Sequence, residues 1–112
     1  MKEFVDYLNE RQELCLQRAK KLADEQCDDE SILEKVRANI YGIYISLAQV
    51  PNKSPDYLKE KLEKIPAAWH ESLARATEHN DHEKEAQEQV KIEVVEEIKA
   101  KLASLMEEER DG

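Results

Sequence analysis

The residues best suited to chemistry are three histidines, His70, His79 and His82. His79 and His82 are three apart, so a helix would place them on one face, with Glu78 and Glu83 beside them. Two imidazoles and a carboxylate make a minimal metal site, with His79, His82 and Glu83 as its candidate ligands. A di-iron bundle would need Glu-x-x-His on two helices, and no histidine here has glutamate three residues before it. The expectation is therefore a solvated polar segment with no metal and no cofactor. Hydrolytic or transfer chemistry needs a nucleophile beside a base, or paired carboxylates in a cleft. The serines and Thr77 fall in no such motif, and no glycine-rich loop exists to cradle phosphate. The many acids fall on polar helix faces, where they pair with lysines at helical spacing, as Glu97 can with Lys101. No catalytic residue is expected.

Five aromatic residues, Tyr7, Tyr41, Tyr44, Tyr57 and Trp69, could line a small pocket between helices. The commoner role for such residues is the rim of a core. Cys15 sits on an apolar helix stripe and reads as a small core residue, while Cys27 has acidic neighbours that disfavour a thiolate. Their spacing fits no zinc or redox motif.

The elements that carry these residues are helices. Charged residues make up 38% of the 112-residue chain, and there are only two glycines and three prolines, a balance typical of long amphipathic helices. No strand-length alternation occurs. The length suits one core, so a single helical domain over residues 1–112 is expected. A net charge of −9 argues against a phosphate-backbone partner and against an anionic membrane surface. The acidic N-terminal stretch does not look like a signal peptide, and no apolar run approaches a membrane span. A cytoplasmic location follows as the expectation, with both thiols reduced.

The pattern predicts an all-α fold: an irregular bundle of four to five helices around a buried central helix at about residues 30–50. The first helix is predicted from Lys2 to Gln26, with aspartates making the turn after it. The central helix is marked by Val36 to Val50, which carries one charge, Arg37. Val36, Ile40, Ile43, Leu47 and Val50 form one stripe, and Ala38, Tyr41, Ile45 and Ala48 a second. So much apolar circumference needs covering, and Ile43 and Leu47 are expected to be almost fully buried. Ser31 and Glu34 have capping-box spacing. A loop at 51–55 leads to a third helix, started by Ser54-Pro55-Asp56. Pro66 should kink it, because Leu58, Leu62, Ile65, Trp69, Leu73 and Ala76 keep one phase across the proline. Residues 77–89 could be a break or a continuous helix; capping spacing at Asn80 and Glu83 favours the break slightly.

The long C-terminal helix is marked by Val90, Val94, Ile98, Leu102 and Met106, widened by Ile92, Val95 and Leu105. Its apolar face looks wider than a short bundle can cover. That points to a non-enzymatic protein-interaction or self-association module, with a homodimer seated on Val94, Ile98, Leu102 and Leu105. Gly42 and Ser46 form a small-residue notch, where another helix, from this chain or a second copy, could approach closely. A small-ligand- or metal-binding bundle is the alternative.

Overall fold

The computed structural model describes residues 2–51 and 54–111 of the chain. Asn52 and Lys53, in the middle of the expected loop, lie outside the described residues. Five helices follow one another: α1 (Lys2–Asp24), α2 (Asp28–Ala48), α3 (Pro55–Lys64), α4 (Pro66–Glu78) and α5 (His82–Asp111). No strand occurs among the described residues, and none of their helices is long and apolar enough to cross a membrane. α1 and α2 form one hairpin, α4 and α5 a second, and α3 packs on α2, α4 and α5. The all-α bundle read from the sequence is the observed fold.

Its boundaries have local causes. α1 stops because Gln26 takes a left-handed conformation (φ 64°). The Cys27 amide then reaches back to the Leu22 carbonyl, and the Gln26 amide to Ala23. These are the two bonds of a Schellman motif, made without the usual glycine. The expectation that the aspartates build this turn fails: Asp28 and Asp29 open α2 instead. Ser31 is no cap either: α2 has already begun, with Cys27 as the preceding residue. α4 ends in the same way as α1. Asn80 is left-handed (φ 57°), the Asp81 amide bonds to Ala76 and the Asn80 amide to Thr77. Asn tolerates that region better than most residues. The break within 77–89 is therefore real, and its cap is Asp81, one residue beyond Asn80. The Asp81 carboxylate accepts from the Lys84 amide at 3.1 Å, satisfying a donor of the first turn of α5.

Proline starts both middle helices at their first position, where its missing N–H costs nothing. Ser54 precedes α3 but makes no side-chain cap bond. Ile65 alone separates α3 from α4, and it keeps helical angles (φ −60°, ψ −42°). The chain thus bends at Pro66 without losing phase. Leu58, Leu62 and Ala76 are buried and Ile65, Trp69 and Leu73 half-buried along the expected stripe.

The core gathers Phe4, Leu8 and Cys15 of α1, Ala38, Ile40, Tyr41 and Tyr44 of α2, Leu58 and Leu62 of α3, and the row Val90, Val94, Ile98 and Leu102 of α5. Two expectations fail here. Ile43 is 39% exposed and Leu47 only half-buried. α2 instead buries parts of both stripes, Ile40 and Tyr44 with Ala38 and Tyr41, because Ala38 and Gly42 let α1 approach closely while Tyr41 and Tyr44 fill the space beyond. The α5 face is not left over for a second copy. Val94 and Ile98 are fully buried, Leu102 is 3% exposed and Leu105 half-buried, all against the chain's own core. The bend at Pro66 brings α3 onto the part of α5 that looked surplus.

Candidate functional site

The α1–α2 seam is unusually close and is held by side chains that reach the opposite backbone. Ser31 donates its hydroxyl to the Ala19 carbonyl at 2.7 Å, in a buried position. Gln12 donates its amide to the Ala38 carbonyl at 3.1 Å. Gln12 interrupts the α1 stripe for this reason. Gly42 lies beneath it: a Cβ there would sit 2.9 Å from the Gln12 amide nitrogen. The notch at Gly42 is therefore filled from within the chain, while Ser46, one turn on, is exposed. Glycine costs about 1 kcal/mol relative to alanine inside a helix. Gly42→Ala alone should change stability little, because the propensity gain is offset by displacing Gln12. With Gln12→Ala in the background, Gly42→Ala should add about 1 kcal/mol. Urea unfolding of the four proteins checks this; equal effects of Gly42→Ala in both backgrounds would exclude the contact.

A second polar feature links three helices. Arg11 Nε donates to the Tyr41 hydroxyl at 3.4 Å, and that hydroxyl donates to Glu97 Oε2 at 3.2 Å. Arg11 also stands 4.0 Å from Glu97. Tyr7 meets Tyr41 edge-on at 6.5 Å, and the Lys101 ammonium lies over the Tyr7 ring at 5.5 Å. Glu97 thus faces Arg11 and Tyr41, and Lys101 faces Tyr7, in place of the expected pairing between them. Burial pushes the Tyr41 phenol up to about 12, although Arg11 pulls the other way. A group that stays protonated to that pH is a fixed hydrogen-bond relay, not an acid or base at neutral pH. The array orients three helices, and sequence spacing could not reveal it, because its members lie on three separate elements.

Arg37 repeats the theme, standing 3.6 Å from Glu34 on its own helix and 3.7 Å from Glu93 on α5. Cys15 is buried near Glu34; burial first, then that carboxylate, pushes its thiol up, so it is a packing residue and no nucleophile. Cys27 is also a free thiol. On α5, Glu88 is only 5% exposed and bonds Lys91 at 2.9 Å, while Lys91 lies 5.9 Å over Trp69 of α4. The second Glu88 oxygen is buried without a partner.

The histidine candidates do not converge. His79 ends α4, His82 opens α5, and both are exposed with Glu83. Among the described residues, no group of three or more His, Cys, Asp or Glu is arranged to hold a metal. Tyr41 and Tyr44 are core, 1% and 0% exposed, and Tyr7, Tyr57 and Trp69 are half-buried. A shallow groove of about 310 Å³ lies between α3 and α5, floored by Leu62, Leu102, Ala103 and Met106. Lys59, Glu63, Lys99 and Glu107 ring it, and no aromatic residue lines it.

The remaining feature is the outer face of the α1–α2 hairpin. From Ser31 to Leu47 the exposed residues of α2 are Ile32, Lys35, Asn39, Ile43 and Ser46. None of these is acidic, but the same line begins with exposed Asp28 and Asp29, and Ile32 shares a groove with Asp29 and with Glu83 of α5. Ile32 and Ile43 are three turns apart and project along nearly the same line. Leu16 of α1 lies one turn beyond Gln12, and the two cross-seam bonds fix an antiparallel register that sets it level with Glu34. Leu16, Ile32 and Ile43, at 46%, 41% and 39% exposure, are the large exposed apolar residues among those described. Lys20 and Ala23, one and two turns beyond Leu16, are also exposed. Sequence reasoning did not single out Ile32 and expected Ile43 to be buried; nothing in their types says which stripe stays outside. No family model, curated protein or solved structure matches this chain.

Proposed function

We infer that the chain is a protein-interaction module that docks through the outer face of the α1–α2 hairpin. One observation carries this reading: the large exposed apolar residues among those described, Leu16, Ile32 and Ile43, all fall on this hairpin. Isolated exposed apolar residues are ordinary on a monomer. From Asn39 to Ser46 a partner can cover Ile43 without stripping water from an exposed carboxylate of α2, which would be costly.

A homodimer was expected on α5, and Val94, Ile98 and Leu102 are now accounted for by the core. A second copy would have to use the hairpin face instead. Incorporating a photo-crosslinking amino acid at position 39, exposed at the centre of the stripe, tests both forms. Position 96, exposed on α5, serves as the control. A discrete adduct in source cells from position 39 alone supports the reading. An adduct at twice the 13.0 kDa of the chain would assign the face to a second copy. No adduct, or equal adducts from both positions, would overturn it.

The α3–α5 groove supports a second reading, a small apolar ligand held over Leu62, Leu102 and Met106. Its volume is at the lower end of ligand sites, and its rim charges balance. A metabolite thermal-shift screen with Met106→Glu as control tests it.

A further inference from the structure

We propose that α3 is a hinged strap: it swings out about Ile65 and Pro66 as one unit, while the α1–α2 and α4–α5 hairpins stay folded, and so uncovers Tyr44 and Leu102. The device stands apart from the docking face and needs no ligand. α3 has only 10 residues, fewer than the roughly 12–15 at which a lone helix becomes marginal in water. It therefore persists only while docked. Two of its side chains, Leu58 and Leu62, are buried. α5, by contrast, buries Val90, Ile92, Val94, Val95, Ile98 and Leu102. Leu58 and Leu62 stand one turn apart on the same face, so they form one short row that releases together.

The fixings around that row are slight. No ion pair joins α3 to another helix among the described residues; the Lys64–Glu60 pair lies within α3. Arg11 and Arg37, in contrast, both reach α5 from the first hairpin. The Tyr44 hydroxyl meets the Lys61 carbonyl at 3.5 Å, long for an O–H donor. The packing is open as well. The groove of about 310 Å³ runs between Leu62 of α3 and Leu102 and Met106 of α5. A second groove, of about 370 Å³, lies where Pro55 meets Phe4 of α1 and the same Leu102 and Met106. Side chains that line a groove lack partner atoms on one side and lose that dispersion energy. The hinge is built into the sequence. The Ile65 amide bonds Lys61 at 3.1 Å and completes α3. Pro66 then has no amide hydrogen to carry the helix on to the Leu62 carbonyl. α4 keeps its own attachments, with Pro66 and Ala76 buried and Lys91 of α5 over the Trp69 ring. α3 can therefore turn without pulling α4 from α5, and its departure merges the two grooves across Leu102 and Met106.

Native-state hydrogen exchange of the full chain, read by NMR in low urea, tests the strap. The amides from Leu62 to Ile65 are expected to share one protection factor, at least a hundredfold below that of Val94 and Ile98 at the middle of α5. Their exchange should also respond less to urea, because the opening exposes less surface than global unfolding. Val90→Ala separates the two events. Val90 stands about three turns from Leu102 along α5 and stays packed when α3 leaves. The variant should speed exchange at Val94 and Ile98 at least tenfold and leave the α3 amides within about twofold of the parent. Ala19→Gly, near the far end of α1, gives the same comparison at smaller amplitude should Val90→Ala not fold. Leu62→Ala should speed the α3 amides at least tenfold. Protection of α3 equal to that of α5, or an α3 response to Val90→Ala or Ala19→Gly that matches the response of α5, would overturn the proposal, since α3 would then open only with the whole fold. So would indifference of α3 to Leu62→Ala. Protection that falls residue by residue towards one end of α3 would overturn it too, because that is fraying and not a swing about Ile65.

Discussion

Ile98→Asp is expected to abolish the cooperative unfolding transition of the chain at neutral pH. Ile98 is fully buried at the middle of α5, in the row that runs from Val90 to Leu102. Removing its side chain alone costs about 2–5 kcal/mol, as core truncations do. The new carboxylate adds several kcal/mol of desolvation with no cation placed to receive it. Against a total stability of roughly 5–15 kcal/mol, little remains. Ile43→Asp is the informative contrast, because Ile43 is 39% exposed and a carboxylate there stays in water. Its melting temperature should fall by only a few degrees. Thermal melts followed by circular dichroism decide the matter. If Ile98→Asp melts within a few degrees of the parent as a monomer, the α5 row is not core. If both variants unfold, the outer stripe of α2 is more deeply covered than its exposure indicates.

That contrast also marks what sequence could and could not give. The row Val90, Val94, Ile98, Leu102 was legible because charged residues flank it on every turn, leaving one direction for burial. Pro55 and Pro66 were legible because proline restricts the backbone wherever it stands. α2 was different. Its apolar arc spans more than half the helix, so periodicity identified a hub but not the stripe facing its neighbours. That choice is set by size: Ala38, Gly42 and Ser31 let α1 close in, and Ile43 is then left outside. Likewise, the stops at Gln26 and Asn80 come from backbone bonds to carbonyls three and five positions back around the turn, and only Asn80 is of a type that hints at them. The surplus apolar width of α5 was a misjudgement of coverage, since the bend at Pro66 supplied α3 as an additional neighbour. The Arg11–Tyr41–Glu97 relay could not be read at all, because its three members are far apart in sequence and each looks like an ordinary helix-surface or core residue. The same holds for the docking face, which exists only because two helices are set in register by Gln12 and Ser31.

Tyr44 should show the largest effect of a single truncation without an added charge. It is completely buried, its ring lies in the core, and its hydroxyl makes one long bond of 3.5 Å to the Lys61 carbonyl of α3. Tyr44→Ala should cost about 3–5 kcal/mol, in line with large aromatic deletions. Tyr44→Phe keeps the ring and gives up only a weak bond, so the cost at pH 7 should be below about 1 kcal/mol. The two substitutions differ more in alkali. Burial pushes the Tyr44 phenol up to about 12, from 10.0 when unperturbed. The folded state therefore holds its proton where the unfolded state releases it. This contribution is fully present below pH 10 and is lost as pH rises from 10 towards 12. Two units correspond to roughly 2–3 kcal/mol of stability lost across that window. Tyr41 titrates in the same direction, so the wild type should weaken steeply there, and Tyr44→Phe should weaken less by about that amount. Urea unfolding at pH 7, 9.5 and 11.5 measures the difference. Parallel pH curves for the wild type and Tyr44→Phe would mean that the Tyr44 hydroxyl reaches water, and that the contact between α2 and α3 is looser than the buried ring implies.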